Sequence, residues 1–221
     1  MSLHPHSEAD IIAIASDEII QKNFGVTQQY LDVHEIEFEN GVPRILCIDY
    51  EQFPDNAVVY FQVKDYSFYF AVRVNIKIEP KVTFTWNEPR HKIRFIASSN
   101  QLSADELQAI ISLSGNETIT INTHAQTEES TKLVIESTPW PGNFKQQLKR
   151  FLDYLLGDAS GINRLVGRAN GCLEVESDFY IGNGHLGGYL LDNETIAKLT
   201  ELNVSISFIE KNSGIPIKLF D

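Results

Sequence analysis

The chain has 221 residues, 43% of them hydrophobic, and a formal net charge of -12. This apolar content is sufficient for one large or two small folded domains without disulfides or structural metals. The acidic excess argues against nucleic acid as a partner, because affinity for the phosphate backbone rests on cationic side chains. The charge is compatible with a basic protein partner.

Two further features of the sequence bear on location. No apolar run approaches the roughly 20 residues of a membrane helix, and the first ten residues lack the basic and apolar regions of a signal peptide. Cys47 and Cys172 are too far apart in sequence to indicate a disulfide framework or a metal knuckle. We therefore predict a cytoplasmic protein that does not associate with membranes.

The first part of the chain reads as a helix followed by a β-meander. Apolar residues spaced for one face predict an amphipathic helix over residues 8–23, ended by Gly25. Strands 33–39 and 42–50 flank Asn40-Gly41, which is the strongest short signal for a β-hairpin. Strands 57–63 and 66–78 flank Lys64-Asp65 in the same way.

Strand 66–78 alternates between a buried and a wet face. Its predicted buried residues are Tyr66, Phe68, Phe70, Val72, Val74, Ile76 and Ile78. A further strand over residues 82–86 precedes Asn87-Glu-Pro-Arg90, where turn residues predict the domain boundary. The sequence thus predicts a helix and meander domain over residues 1–90 and a second domain over residues 91–221.

The second domain alternates strands with capped helices. We predict strands at 92–97, 118–122, 132–137, 172–181 and 204–209, with helices from Ser103, Asn143, Ser160 and Asp192. In the helix from Asn143, Leu148, Phe151 and Leu152 contribute to a long apolar stripe. This order favours helices packed on one face of a mainly antiparallel sheet.

A similar pattern of residues occurs twice in this domain, at 102–113 and at 191–202. Each copy reads as an N-capped helix that leads into a strand, with Ser103 and Asp192 as the caps. We therefore predict an α+β fold: an N-terminal helix with an antiparallel β-meander, then a ferredoxin-like sandwich with a duplicated β-α-β pattern.

Three segments of the second domain, residues 93–107, 144–156 and 187–203, resemble the bacterial domain-of-unknown-function family 4279. The resemblance covers residues 92–210 and rests on an ordered pattern of strands and capped helices. It implies a small cytoplasmic bacterial α+β domain with no established activity.

Motifs that would carry chemistry are weak. Residues 182–187 match G-x-G-x-x-G, but the helix cap that follows is Asp192, whose carboxylate would repel a phosphate, so we interpret the loop as a turn. His34, His91, His124 and His185 each stand outside any metal or nucleophile motif. We predict no cofactor, no metal site and no catalytic residues.

Glu35, Glu37 and Glu39 alternate with other residues and should share one face of an outer strand. One interpretation is a solvated face that protects a sheet edge from aggregation. The other is a docking strip for a basic partner, with Tyr69 on the wet face of its strand as an exposed aromatic anchor.

These observations favour a non-enzymatic protein-interaction module, for example an acidic antagonist of the immunity-protein type. Two alternatives belong to other classes. One is a small-ligand sensor, because duplicated β-α-β sandwiches can bind metabolites between their halves. The other is an enzyme with a site at the domain boundary.

Overall fold

The computed structural model describes residues 6–77, 79–127, 130–182 and 189–217. The chain divides into two compact units. The first unit takes residues 1–90, 178–186 and 211–221, and the second takes residues 91–177 and 187–210. The chain passes from the first unit to the second after Arg90, and two later segments return to the first unit.

The first unit begins with two helices, α1 (Glu8–Gln21) and α2 (Gly25–Leu31). Ser7 caps α1 by accepting a hydrogen bond from the Asp10 amide, and the Asp10 carboxylate bonds back to the Ser7 amide. The prediction that Gly25 ends the first helix is wrong. The helix ends at Gln21, where Lys22 adopts a left-handed conformation, and Gly25 is the first residue of α2.

The strands of the first unit follow the helices as a short hairpin and a four-stranded sheet. They are β1 (Phe38–Glu39), β2 (Val42–Pro43), β3 (Ile45–Asp49), β4 (Asn56–Gln62), β5 (Tyr69–Asn75) and β6 (Lys81–Glu88). The hairpin turns at Asn40 and Gly41, which both have positive φ, as a two-residue hairpin turn requires. The sheet has the order β3-β4-β5-β6 with antiparallel pairs, so the predicted meander is confirmed.

One face of this sheet carries the main core of the first unit. Ile11, Ala15 and Ile19 of α1 belong to the same buried cluster as alternate residues of β4 and β5. The predicted buried face is confirmed for Tyr66, Phe68, Phe70, Val72, Val74 and Ile76. Ile78 lies outside the described residues.

The second unit is formed mainly by the remaining strands and helices. They are β7 (Arg90–Ser99), α3 (Ala104–Gln108), β8 (Ile119–Thr127), β9 (Ser130–Ser137), α4 (Phe144–Leu156), α5 (Ala159–Ala169), β10 (Cys172–Tyr180), α6 (Asn193–Glu201) and β11 (Ser205–Ser213). The strands form one sheet in the order β11-β10-β7-β9-β8. Strands β7 to β10, numbered along the chain, thus lie in the order 4-1-3-2 with helices between them, which confirms the ferredoxin-like class.

The core of the second unit lies on the helix side of this sheet. Leu148, Phe151 and Leu152 of α4 are all buried in the cluster that contains Phe95 of β7 and Leu173 of β10. Asn143 caps α4 through the amide of Lys145, as its position before the apolar stripe predicts. The most regular stripe in the sequence therefore forms the centre of this core.

Two later residues contribute to the first unit: Tyr180 through its buried ring, and Ile215, whose side chain is 48% exposed, through its backbone. The Tyr180 ring packs edge-on against Tyr30 of α2, and its hydroxyl donates to the Ile215 carbonyl at 2.9 Å. The Ile215 amide donates to Nε2 of His34 at 3.0 Å. His34 is therefore a structural side chain in an aromatic cluster, and its pKa is lowered mainly by burial.

Candidate partner-binding site

The three predicted carboxylates follow one stretch of backbone. The Glu37 amide donates to the Gln62 carbonyl, and the Lys64 amide donates to the Glu35 carbonyl. Ile36 between them is buried and bridges to Val63. Only residues 38 and 39 of the predicted strand 33–39 form a regular strand, so the row is held by local pairing with residues 62–64.

Two of the three carboxylates have cationic neighbours. Glu35 accepts a hydrogen bond from Lys64 at 2.7 Å, and Glu37 accepts one from Arg44 at 2.6 Å. The ammonium group of Lys64 lowers the pKa of Glu35 through this hydrogen bond and its charge. Glu39 is exposed and makes no ion pair with any residue in the described ranges.

The hairpin that follows the row exposes apolar side chains. Phe38 is 56% exposed and Val42 is 60% exposed. Val42 lies directly opposite Glu39 in the hairpin, so these two side chains share one face. Phe38 pairs with Pro43 and points to the opposite face, so we call Glu35, Glu37, Glu39 and Val42 the acidic hairpin surface.

Tyr69 does not belong to this surface, and the prediction that it is exposed is wrong. Its side chain is only 4% exposed and lies in a buried cluster with Val58, Tyr60 and Ala71. The cause is a second apolar layer on the supposedly wet face of the sheet, to which Phe53 and Trp86 contribute. Burial also raises the pKa of Tyr69 to about 12.

This second layer ends in an aromatic group that the sequence reasoning missed. The Arg73 guanidinium lies 5.0 Å from the ring centre of Phe53 and 5.4 Å from that of Phe84. The Phe84 ring stacks on Trp86 with centres 5.9 Å apart. We call Phe53, Arg73, Phe84 and Trp86 the aromatic-arginine cluster. Alternation in strand 82–86 was the available signal, since it places Phe84 and Trp86 on one face.

Glu88 lies next to this cluster and is buried. Its carboxylate accepts a hydrogen bond from the Trp86 indole at 2.5 Å. Burial raises the pKa of Glu88 to about 7, and the charge of Asp49 adds to the increase. Burial therefore favours the neutral form of this carboxyl more than in an exposed glutamate.

Two of the histidines considered in the sequence lie in the packed interior. His91 is buried and bonds to the Ser177 hydroxyl at 2.7 Å, while His34 is used in packing. Across residues 6–77, 79–127, 130–182 and 189–217, no group of three or more His, Cys, Asp or Glu side chains could hold a metal ion. His185 and most of the loop 182–187 lie outside the described residues. No helix within the described ranges has the length and apolar character needed to cross a membrane.

The comparisons with known proteins give one match. A family model described as a domain of unknown function (DUF4279) matches residues 79–213, more than half of the chain. No curated protein and no solved structure was found to match. The matched range contains the ferredoxin-like strands β7 to β10, and it confirms the resemblance inferred from residues 92–210. The chain is therefore a member of the DUF4279 family.

Proposed function

We propose that the protein is a non-enzymatic interaction module that binds a basic protein partner through the acidic hairpin surface. The cytoplasm is the proposed location, and an antagonist of the immunity-protein type is one role that this chemistry would serve. Cys47 and Cys172 are not joined in a disulfide, which suits a reducing compartment.

The observation that carries the proposal is the placement of Glu39 beside the exposed apolar side chain of Val42. Interfaces combine an apolar contact, which supplies most of the affinity, with charges that steer the partner. Val42, on the same face as Glu39, provides the apolar contact, and the Glu39 carboxylate provides the charge that steers the partner. Residues 1–90 contain 7 basic and 14 acidic side chains, and this acidic excess favours a basic partner.

Glu35 and Glu37 have a different role in this proposal. Their ion pairs with Lys64 and Arg44 lie on the surface, where such pairs contribute little to stability. An incoming arginine or lysine of the partner can therefore replace Lys64 or Arg44 at small cost.

The decisive experiment compares two charge reversals. The tagged wild-type chain is used to purify its partner from a cell extract, and association rates of the purified pair are then measured by surface plasmon resonance. We expect Glu39→Lys to slow association at least tenfold at low salt, with a difference that shrinks as the Debye length falls to about 8 Å. Glu117→Lys, at an exposed position in the second unit, is the matched control and should change the rate little.

An association rate that is unaffected by Glu39→Lys, or that does not depend on salt, would contradict the proposal. The alternative of a small-ligand sensor is tested with a thermal-shift panel of nucleotides, amino acids and metal ions. A ligand at 100 times its Kd stabilises the folded state by about 2.7 kcal/mol, so a clear shift would favour the sensor.

A further inference from the structure

The aromatic-arginine cluster lies on a different part of the first unit and has a chemistry of its own. Arg73 in β5 is opposite Phe84 in β6. Its Nε donates to the Thr83 hydroxyl at 3.0 Å, and that hydroxyl donates to the Arg73 carbonyl at 3.2 Å. These bonds and the two flanking rings fix the plane of the guanidinium.

The terminal nitrogens of Arg73 are not used in this arrangement. Among the residues that the structure describes, none forms an ion pair with Arg73, and only Nε makes a side-chain hydrogen bond. The two terminal nitrogens carry donors that suit the two oxygens of a carboxylate. A half-buried guanidinium between aromatic rings interacts with an anion more strongly than one in open water, because the local dielectric is lower.

Exposed aromatic surface adjoins these donors. Phe84 is 51% exposed although it stacks on Trp86, and Phe53 meets Trp86 edge-on with ring centres 6.2 Å apart. Asp49 fixes the loop that carries Phe53, since its carboxylate accepts from the amides of Glu51 and Gln52. Tryptophan and arginine are the residue types most enriched at binding hot spots.

We propose that the aromatic-arginine cluster binds a peptide segment that carries a carboxylate next to an aromatic or aliphatic side chain. The carboxylate pairs with the terminal nitrogens of Arg73, and the apolar side chain packs on Phe84 and Trp86. A nucleic-acid strand fits less well, because phosphate backbones are bound by several cations and the cluster contributes one. This site takes an acidic segment, whereas the acidic hairpin surface takes a basic one.

The test uses two short peptides that differ in one group, acetyl-Phe-Glu-amide and acetyl-Phe-Gln-amide, added to the isotope-labelled full chain in NMR titrations. We expect saturable shifts of the Trp86 indole N-H and the Arg73 guanidinium N-H. The Glu peptide should bind at least about fivefold more tightly than the Gln peptide, as a charge-assisted pair contributes. Phenyl phosphate and phenylacetate are two further probes. Phenyl phosphate should bind no more tightly than phenylacetate.

Variants then assign the preference to residues. Arg73→Gln should abolish the preference for the Glu peptide over the Gln peptide. Phe84→Ala should weaken the binding of both peptides to a similar extent. Lys81→Gln, an exposed neighbour in the same sheet, is the control and should leave both affinities unchanged. If Arg73→Gln does not fold, as judged by amide dispersion, the proposal is still tested by the affinities of the two peptides for the wild-type chain and for Phe84→Ala.

Three results would overturn the proposal: equal affinity for the two peptides, a preference that survives Arg73→Gln, or tighter binding of phenyl phosphate than of phenylacetate. None of these depends on the acidic hairpin surface. Glu39→Lys should leave peptide binding unchanged. The proposals for the two sites are therefore tested independently.

Discussion

Glu88 and His91 are close in sequence, but burial shifts their pKa values in opposite directions. Burial raises the pKa of Glu88 to about 7 and lowers the pKa of His91 to about 4, since the neutral form is favoured in both cases. Glu88 belongs to the first unit and His91 to the second. Each of these two buried groups makes the stability of its unit depend on pH, and the two contributions have opposite signs.

The prediction for His91 concerns the acid side. Between pH 6.5 and about 4 the unfolded chain takes up a proton that folded His91 does not, so the free energy of unfolding falls as pH falls. The loss approaches about 1.4 kcal/mol for each pH unit in this window. Chemical denaturation, followed by Trp140 in a Trp86→Phe background, should show this slope. A His91→Gln variant with the same slope would contradict the assignment.

The prediction for Glu88 has the opposite sign. As pH rises from 4.5 to about 7 the unfolded chain ionises this carboxyl before the folded chain does, so the first unit loses stability. Glu88→Gln keeps an acceptor for the Trp86 indole but cannot ionise. We expect the variant to be more stable than wild type at pH 8 and similar at pH 4.5. Denaturation followed by Trp86 in a Trp140→Phe background measures both, and lower stability of the variant at pH 8 would contradict the sign.

Single residues also show where sequence reasoning fails. Tyr69 is on the predicted face of its strand, but the apolar residues that cover that face come from a loop and from β6, so its burial is a tertiary effect. In α6, Ile196 and Leu199 are three residues apart and should share an apolar face, yet Ile196 is 49% exposed, while Thr195 is buried and bonds to Asp192. The cap geometry sets which residues of this short helix face the core.

Among the elements, α4 gives the clearest test of the core. Phe151 is buried and central to its cluster, so Phe151→Ala should cost about 3 to 5 kcal/mol of unfolding free energy as a cavity forms. Ile196→Ala removes a large apolar side chain from the exposed part of α6 and should cost less than about 1 kcal/mol. Urea denaturation of both variants makes the comparison. Equal losses would mean that the packing of α4 is misassigned.

Elements with a local cause were predictable. The hairpin at Asn40-Gly41 and the caps Ser103, Asn143 and Asp192 all act within a few residues, and all four are found. The end of α1 was not predictable from Gly25. The Glu18 carboxylate of α1 accepts a hydrogen bond from the Phe24 amide, and the second helix begins at the next residue. The aromatic-arginine cluster combines residues from β5, β6 and a loop, a grouping that strand patterns alone do not indicate.

At the scale of the whole molecule, the strand order was predictable, whereas the contacts of Tyr180 and Ile215 with the first unit were not. The alternation of strands and helices restricts the ferredoxin-like order to few alternatives. The contribution of Tyr180 and Ile215 to the first unit depends on contacts with Tyr30 and His34, which are far away in sequence. The periodicity of apolar residues does not indicate contacts between residues so far apart in sequence.

A fragment experiment tests this division. Residues 91–221 contain all five strands of the second sheet from β7 onward, apart from Arg90, and we expect them to stay folded after cleavage near Pro89. Residues 1–90 alone lack Tyr180 and the donor to His34, so we expect them to be molten or insoluble. Amide dispersion in NMR spectra of the two fragments is the readout. A well-folded fragment 1–90 would show that Tyr180 is dispensable for the core.

The return of Tyr180 and Ile215 to the first unit has a consequence for biosynthesis. A ribosome that has completed Arg90 must add more than a hundred residues before Ile215 can bond to His34. At about 5 to 20 residues per second this leaves the first unit without the bond from Ile215 to His34 for several seconds or longer. During that interval the nascent chain exposes the aromatic cluster around Tyr30, and chaperones that bind apolar segments have their best opportunity to engage it.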